Sequence, residues 1–188
     1  YMPFMNNIVS MIEDEAGIKA IKMPGGQHKL NDEYFKRIEA LNFTLEHDDG
    51  QNIETITKAD IILVGVSRTS KTPTCIYLAN QGIKAANIPL VPNQDLPKFD
   101  KNKNLTVIAL ITTPQNLVEV RKKRAIELGL DPKKDEYTNI NSVTKEIDDA
   151  KRLFNKMGWP TIDTTRRSVE ETAAAIMLYL IHISEPTR

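Results

Sequence analysis

An uninterrupted apolar run limits the folds open to this chain more than any other segment. The segment is Asp60-Ile61-Ile62-Leu63-Val64-Gly65-Val66, which is apolar after its first residue and rich in β-branched residues. This pattern is typical of a strand buried on both faces, as in a parallel sheet covered by helices. Apolar runs at 85–91 and 105–111 and a short predicted strand at 161–163 alternate with helical patterns. The sequence therefore predicts an α/β fold whose parallel sheet is flanked by helices.

Helical periodicity fills most of the intervals between these runs. Residues 31–41 carry apolar side chains at positions 34, 35, 38 and 41, which predicts a helix that packs through this face. Ser168 and Glu171 form a capping box at the start of the last predicted helix. The helices predicted after the first run cover Pro73 to about Gln81, Asn116 to Leu128, Ser142 to Met157, and Ser168 to about Ile181.

The segment that follows the first strand has the pattern of a phosphate-binding loop. A strand, a loop and a helix in succession aim backbone N–H groups and the helix dipole at an anion. After Gly65, Lys71 and Thr72 occupy the places of the residues that bind the outer phosphates and Mg²⁺, whereas Ser70 stands where the pattern has its second glycine. An ordinary strand-to-helix turn with a surface Lys-Thr pair stays open as the alternative. The predicted nucleotide-binding residues are Gly65, Val66, Ser67, Arg68, Thr69, Ser70, Lys71 and Thr72.

A second candidate site is the turn His47-Asp48-Asp49-Gly50. It puts an imidazole and two carboxylates together, which suits proton abstraction from a hydroxyl or binding of Mg²⁺. Taken alone, the turn is better explained as a solvated Asp-Asp-Gly turn. No acidic residue ends the 105–111 strand, however, so any carboxylate ligand of a metal must come from elsewhere in the chain.

Two basic segments could contact phosphates. Arg121-Lys122-Lys123-Arg124 could close over a site, but four successive charges on a helix usually face water, and we expect that here. Arg166 and Arg167 precede the capped helix, and they could clamp an anion or simply lie on a loop. The sequence alone does not choose between these two interpretations.

Composition argues against several classes of partner. The 25 basic and 25 acidic residues cancel, so no global field attracts nucleic acid or an anionic membrane. The single cysteine, Cys75, excludes an internal disulfide and favours a reducing compartment. No apolar run reaches the roughly 18 residues of a membrane span. We therefore expect a cytoplasmic protein without nucleic-acid or membrane partners.

With these segments laid out, the chain resembles the regulatory proteins of pyruvate, phosphate dikinase, a family of bifunctional serine/threonine kinases and phosphorylases. The resemblance extends to about residue 182. It includes Ser70, because this branch of the family resembles the loop as it stands here, whereas regulators of phosphoenolpyruvate synthase tend toward glycine. The matching stretches are Tyr34 to Ala40, His47 to Gly50, Ala59 to Pro73, Ala86 to Pro92, and Ile162 to Ala173.

The resemblance implies two reactions on one threonine of the dikinase. In one direction ADP donates its β-phosphoryl group and the dikinase is inactivated; in the other, inorganic phosphate removes the group as pyrophosphate. It further implies that Lys71 neutralises phosphate charge, that Thr72 and Asp49 hold Mg²⁺, and that Asp48 or Asp49 handles the substrate hydroxyl with His47 beside them. ADP, inorganic phosphate and the dikinase are then the partners, while ATP binding and a homodimer stay open.

The domain organisation follows from the same resemblance. Residues 1–57 are expected to be the C-terminal remainder of an N-terminal domain, 58–182 a P-loop kinase-like domain, and 183–188 a non-native or disordered tail. Three rival functions stay open: the same chemistry on phosphoenolpyruvate synthase, an ATP-dependent P-loop kinase of small molecules, and a nucleotide-binding switch without catalysis.

Overall fold

The structure is a computed structural model that describes residues 3–17, 32–91, 96, 105–129, 131 and 136–184. Contacts group the chain into two compact units, Tyr1–Asp32 and Glu33–Arg188. Helix α1, Pro3–Ala16, belongs to the first unit. The helix Asp32–Glu46, apart from its first residue, and all later elements belong to the second unit.

The second unit alternates helices with strands after an initial helix, α2, at Asp32–Glu46. Short 3₁₀ turns lie at Asp48–Gly50, Ile53–Lys58 and Glu136–Thr138. The remaining elements are β1 Ile61–Val66, α3 Lys71–Asn80, β2 Ala85–Leu90, β3 Val107–Ile111, α4 Pro114–Glu127, α5 Ile140–Met157, β4 Thr161–Asp163 and α6 Val169–Ser184.

The four strands form one parallel sheet in the order β2-β1-β3-β4. In the register, Ile61 pairs with Ala85 and Ile62 with Val107. The predicted α/β fold is therefore confirmed, with the apolar run at 61–66 as a central strand.

Alternate residues of β1 pack on opposite faces of the sheet, because successive strand side chains point to opposite sides. Ile62 and Val64 lie in one buried cluster with residues of α4 and α5, including Leu117 and Phe154. Ile61 and Leu63 lie in a second cluster with residues of α3 and α6, including Leu78 and Ile176. Helices on both faces explain why this strand has no polar position.

The capping box predicted for the last helix is present. The Ser168 backbone N–H donates to Glu171 Oε2 at 2.8 Å, and the Glu171 N–H donates to Ser168 Oγ at 3.1 Å. Gly158 ends α5 with a φ of 68°, a left-handed conformation that favours glycine. These signals set the ends of α5 and α6 as predicted.

The face through which α2 packs differs from the prediction. Tyr34, Phe35 and Ile38 are exposed, whereas the buried residues of this helix are Ala40, Phe43 and Thr44. Thr44 Oγ1 donates to the backbone oxygen of Ala85 at 2.7 Å, which joins the end of α2 to β2. The predicted helix is thus confirmed, but the predicted packing face is wrong.

The domain boundary predicted after residue 57 stays a prediction. Phe43 and Ile56 pack in the same cluster as Ile62 and Val64, within the second unit. Helix α6 extends to Ser184, and positions 185–188 of the expected tail lie outside the described residues. None of the helices in the described ranges is both long and apolar enough to cross a membrane.

Candidate active site

The loop between β1 and α3 lies at the carboxyl edge of the sheet. Strand β1 ends at Val66 and α3 begins at Lys71, so four residues make the connection. A Cβ on Gly65 would come within 2.6 Å of the Leu110 backbone oxygen and 2.9 Å of Thr69 Oγ1. Glycine at position 65 is therefore required for the close packing of this loop on β3.

Ser70 has a left-handed backbone conformation, which glycine adopts without strain. Its φ and ψ angles are 61° and 24°, in the left-handed region. The backbone oxygen of Ser70 accepts a hydrogen bond from Thr74 Oγ1 at 2.7 Å. The loop thus follows a left-handed path at this position, without the side chain of Ser70 capping the helix.

Lys71 is buried at the start of α3. Its Nζ donates to the backbone oxygen of Val66 at 2.9 Å, across the loop. Burial lowers the pKa of the Lys71 ammonium to about 8, while the carboxylates of Asp49 and Asp48 act in the opposite direction. A cation held in this way, at a helix N-terminus, is positioned to interact with an anionic ligand.

Thr72, the next residue, contacts one of the two predicted carboxylates. Thr72 Oγ1 donates to Asp48 Oδ1 at 3.0 Å. The Asn87 amide, on β2, donates to Asp48 Oδ1 and also to Thr72 Oγ1, the latter at 3.1 Å. The structure therefore brings the loop hydroxyl, a carboxylate and a buried amide together.

This group of three side chains fits the donor preferences of Mg²⁺. Mg²⁺ takes oxygen ligands and is usually bound by one or two carboxylates together with substrate phosphates. Asn87 Oδ1 is buried and has no hydrogen-bond partner among the described residues. Those residues contain no group of three or more His, Cys, Asp or Glu side chains suited to a metal, so such an ion would also need ligands from the phosphates.

Asp49 has a different environment from Asp48. Its backbone φ of 49° is in the left-handed region, and its side chain is exposed. Asp49 lines a pocket of about 300 Å³. The other lining residues are Ser67, Arg68, Ser70, Lys71, Thr72, Pro73, Pro89 and Val120. Asp49 thus shares the pocket of the loop with Lys71.

His47 is buried and both of its ring nitrogens are engaged. Nδ1 donates to the Phe43 backbone oxygen at 2.7 Å, and Nε2 hydrogen bonds with Thr55 Oγ1 at 2.8 Å. The ring stacks on Phe43 with a centroid distance of 3.9 Å. The His47 backbone oxygen accepts from the Asn87 N–H at 3.3 Å. These contacts join the turn to α2 and β2.

A larger cleft of about 890 Å³ adjoins the loop pocket. Asp49, Ser67 and Pro89 line both spaces, so the two spaces are adjacent. One wall is the α5 face that carries Ser142, Lys145, Glu146, Asp149 and Ala150; the other lining residues are Val66, Leu90, Val91, Arg121, Glu136 and Tyr137.

The prediction that the whole basic run 121–124 faces water is wrong for Arg121, which is buried. Its side chain is 2% exposed, and its two terminal nitrogens donate to the two carboxylate oxygens of Glu146 at 2.7 and 2.9 Å. It also donates to the Ser67 backbone oxygen at 3.3 Å and lies 4.2 Å from the centre of the Tyr137 ring. Only the following three residues of the run, 122–124, are exposed.

Arg166 and Arg167 lie on the loop after β4, and both side chains are exposed. They line neither of the two spaces described above. The choice between an anion clamp and a solvated loop stays open for them.

Comparison with known proteins assigns the chain to a protein family. The family model described as kinase/pyrophosphorylase matches residues 1–177. The chain belongs to this family. Within the kinase/pyrophosphorylase family, a Pelagibacter ubique protein is 53% identical over 175 residues, which cover 92% of this chain and 64% of the relative.

Two other relatives agree with this assignment. A Bradyrhizobium diazoefficiens protein is 50% identical, with 90% of this chain and 61% of the relative covered, and a Hyphomonas neptunium protein is 48% identical, with 94% and 64% covered. All three are provisionally named pyruvate, phosphate dikinase regulatory protein. The chain spans less than two thirds of the length of these kinase/pyrophosphorylase relatives.

Sequence reasoning did not place two residues that the structure brings to the candidate site, Arg121 and Asn87. Arg121 has the same helical spacing as Leu117 and Ala125, which are buried on α4, and that spacing was a usable signal. Asn87 is a polar residue inside a predicted strand, but nothing nearby in the sequence links it with Thr72. Its position beside the loop depends on the pairing of β2 with β1.

Proposed function

We propose that this chain is the nucleotide-binding part of a bifunctional regulator of pyruvate, phosphate dikinase. It would phosphorylate a threonine of the dikinase with ADP, and remove the group with inorganic phosphate to release pyrophosphate. The observation that carries the proposal is that Lys71 and Asp49 line one pocket in a chain of the kinase/pyrophosphorylase family. The hydrogen bond between Thr72 and Asp48 lies beside this pocket. The names of its relatives supply the proposed partner.

In the kinase direction the threonine oxygen attacks the β-phosphorus of ADP. The bond between that phosphorus and the bridging oxygen breaks, and AMP leaves. The threonine proton must go to a base, and Asp49 is the carboxylate that lines the phosphate pocket. Asp49 is therefore the proposed base.

In the phosphorylase direction an oxygen of inorganic phosphate attacks the phosphorus of phosphothreonine. The bond from phosphorus to the threonine oxygen breaks, pyrophosphate forms, and the threonine oxygen takes up a proton, for which protonated Asp49 is the proposed donor. The same phosphoryl group moves in both directions. A single site that neutralises its charge therefore serves both reactions.

Positioning and charge neutralisation carry most of the catalysis in phosphoryl transfer. Lys71 supplies a buried cation, and the start of α3 supplies backbone N–H groups. Both are in place before the ligand binds, so little rearrangement is needed as charge shifts in the transition state.

Thr72 and Asp48, with Asn87 beside them, are the residues proposed to hold Mg²⁺. The bound ion would neutralise phosphate charge and orient the phosphoryl oxygens. The expectation from resemblance paired Thr72 with Asp49, but the hydrogen bond from Thr72 to Asp48 supports Asp48 as the metal-side carboxylate. His47 supports the turn through its contacts with Phe43 and Thr55 rather than by touching the substrate.

The experiment that tests this proposal follows the β-phosphorus of labelled ADP into dephosphorylated, active dikinase. Label in a dikinase threonine, and its release as pyrophosphate on addition of inorganic phosphate, is the expected result. Lys71→Ala should abolish both reactions, whereas Lys122→Ala, at an exposed position of α4, is the matched control.

Parallel assays distinguish the rival functions. Transfer to phosphoenolpyruvate synthase instead of the dikinase would assign the synthase as the target. Transfer from ATP to a free small-molecule hydroxyl would indicate a metabolite kinase, and binding of ADP with no transfer would indicate a switch. A cytoplasmic location and a homodimer stay predictions at this point.

A further inference from the structure

We infer that the larger cleft binds the nucleoside of ADP and serves only the kinase direction, while the loop pocket binds the phosphates in both directions. This inference rests on the proposed function and assigns a ligand to a space that the phosphate-binding loop does not explain.

Adjacency and size support the assignment. Ser67, Asp49 and Pro89 line both spaces, so a ligand with phosphates in the loop pocket has the cleft directly beside it. The cleft of about 890 Å³ lies within the range usual for small-molecule sites, roughly 300–1,000 Å³. The loop pocket of about 300 Å³ suits the phosphates alone.

The charges of the two spaces differ in sign. In the loop pocket, Arg68 and Lys71 outnumber Asp49, and the N-terminus of α3 adds to the positive potential. In the part of the cleft beyond Asp49, the three carboxylates outnumber the two cations, one of which is engaged by Glu146. These charged residues are Glu136, Glu146, Asp149, Arg121 and Lys145.

This charge difference selects the orientation of the ligand. Phosphates are favoured in the loop pocket and disfavoured in the cleft. A nucleoside is uncharged, and its ribose hydroxyls can donate to carboxylates such as Glu136 and Asp149. Val66, Leu90 and Val91 supply the apolar surface that a base needs.

The chemistry of the two directions then separates the roles of the spaces. AMP is the leaving group of the kinase reaction, and inorganic phosphate is the nucleophile of the reverse reaction. Pyrophosphate therefore corresponds to ADP without its adenosine, and inorganic phosphate replaces the α-phosphate of AMP. Nothing in the phosphorylase reaction fills a nucleoside site.

The rival occupant of the cleft is the threonine segment of the protein substrate. That segment is needed in both directions, so blocking the cleft would then slow both reactions to a similar extent. A nucleoside site predicts a different result, because only the ADP-dependent reaction would be lost. The two occupants are therefore distinguishable with one variant.

A matched pair of substitutions on α5 provides the test. Asp149 and Asp148 are adjacent and both exposed, but only Asp149 lines the cleft. Asp149→Trp should fill the cleft, while Asp148→Trp makes the same chemical change outside it. Asp149 also pairs with Arg152 at 3.2 Å, but that pair is exposed and its loss has little effect on stability. Ser142→Trp should fill the same cleft from a position about two turns earlier on α5.

Calorimetric titration with ADP and with pyrophosphate, each with Mg²⁺, measures the effect without the dikinase. We expect Asp149→Trp and Ser142→Trp to weaken ADP binding by about tenfold or more, equivalent to about 1.4 kcal/mol. Pyrophosphate binding should be retained in both variants, and Asp148→Trp should bind both ligands as the unmodified chain does. In assays with the dikinase, the same two variants should lose kinase activity and keep phosphorolysis.

Several results would overturn the inference. The first is an equal loss of ADP and pyrophosphate binding in the cleft variants, and the second is unchanged ADP binding in both of them. The third is an equal loss of kinase and phosphorylase activity, which would assign the cleft to the protein substrate. An unmodified chain that binds both ligands but transfers no phosphoryl group would count against the proposed function alone. A chain that binds neither ligand would contradict both.

Discussion

Thr72 Oγ1 lies 3.0 Å from Asp48 Oδ1, although 24 positions separate the two residues in the chain. The contact exists because the turn at Asp48–Gly50 lies beside β2, where the Asn87 amide reaches the same two side chains. No acidic residue stands directly after β3, where proteins with a phosphate-binding loop often carry the carboxylate that helps to bind Mg²⁺. The turn upstream of β1 supplies the carboxylate instead.

The first prediction concerns the charge of Lys71 and the stability of the fold. Burial lowers its pKa from 10.5 to about 8, so the unfolded chain binds more protons between these values. Stability should therefore rise with pH from about 8 to about 10.5, and below pH 8 the buried ammonium should cost about 3 kcal/mol. Lys71→Met removes this cost.

We thus expect Lys71→Met to unfold at higher urea concentration than the unmodified chain at pH 7, with a smaller difference at pH 10. The same variant should lose phosphate binding. A variant less stable at pH 7 than the unmodified chain would show that the hydrogen bond from Lys71 Nζ to the Val66 oxygen outweighs the cost of burial.

Ser70→Gly tests whether position 70 needs a serine. Glycine adopts the left-handed conformation of Ser70 without the strain of about 1–2 kcal/mol that a side chain brings, but it adds chain entropy to the unfolded state. These effects oppose each other, so stability should change by less than about 1 kcal/mol. ADP affinity should stay within about tenfold; a larger loss, measured by titration, would assign a ligand contact to the Ser70 hydroxyl.

The Arg121–Glu146 pair should respond differently to single and double substitution. Glu146→Leu leaves the Arg121 guanidinium buried without its carboxylate, which typically costs about 3–5 kcal/mol. Replacing both with Arg121→Met and Glu146→Leu removes the buried charge and should recover most of that loss. Urea unfolding of the single and double variants measures the coupling. Additive losses would mean that the pair contributes nothing beyond its separate side chains.

The parts of the fold that depend on local patterns were predictable from the sequence. The buried run at 61–66 indicated a central strand, and Ser168 with Glu171 indicated a helix start, because both signals lie within a few residues. The succession of strand, loop and helix at 61–80 was predictable for the same reason, and its binding of phosphate stays a prediction. The exposed Tyr34 and Phe35 show the limit, since helical spacing cannot tell which apolar face the rest of the chain covers.

The remaining parts of the candidate site depend on long-range packing. Asn87 contacts Asp48 only because β2 pairs with β1 in one register. Arg121 lies within four like charges, a pattern that normally faces water, and its burial depends on Glu146 from another helix. The partners in these pairings are distant in the chain, so no local pattern identifies them, although the spacing of Arg121 with Leu117 and Ala125 indicated its buried helix face.

His47 is expected to support the site through structure rather than chemistry. Its buried ring makes two hydrogen bonds and stacks on Phe43, so His47→Ala should cost about 1–3 kcal/mol of unfolding free energy. The exposed His182 provides the control, because His182→Ala removes the same side chain from the surface of α6. A hundredfold loss of turnover in fully folded His47→Ala, without loss of stability, would instead assign His47 a direct role.

The last prediction separates the two carboxylates of the turn. Asp48 accepts from Thr72, whereas Asp49 lines the pocket with Lys71, so their removal should affect different measurements. Asp49→Asn keeps the shape of the side chain but removes the base. It should lower turnover in the kinase direction by about a hundredfold or more, with ADP binding retained.

Asp48→Asn should act on the metal instead. It should raise the Mg²⁺ concentration needed for half-maximal ADP binding, because Mg²⁺ loses a charged oxygen ligand beside Thr72. Titrations of ADP over a series of Mg²⁺ concentrations measure this effect, and single-turnover assays measure the effect of Asp49→Asn. Asp48 is partly buried and Asp49 is exposed. Surface substitutions outside a functional site change the free energy of unfolding by about 0.5 kcal/mol or less. If Mg²⁺ dependence and turnover are unchanged in both variants, the segment is a solvated Asp-Asp-Gly turn without a catalytic role. If Asp49→Asn changes the Mg²⁺ dependence and Asp48→Asn lowers turnover, Asp49 is the carboxylate that binds the metal.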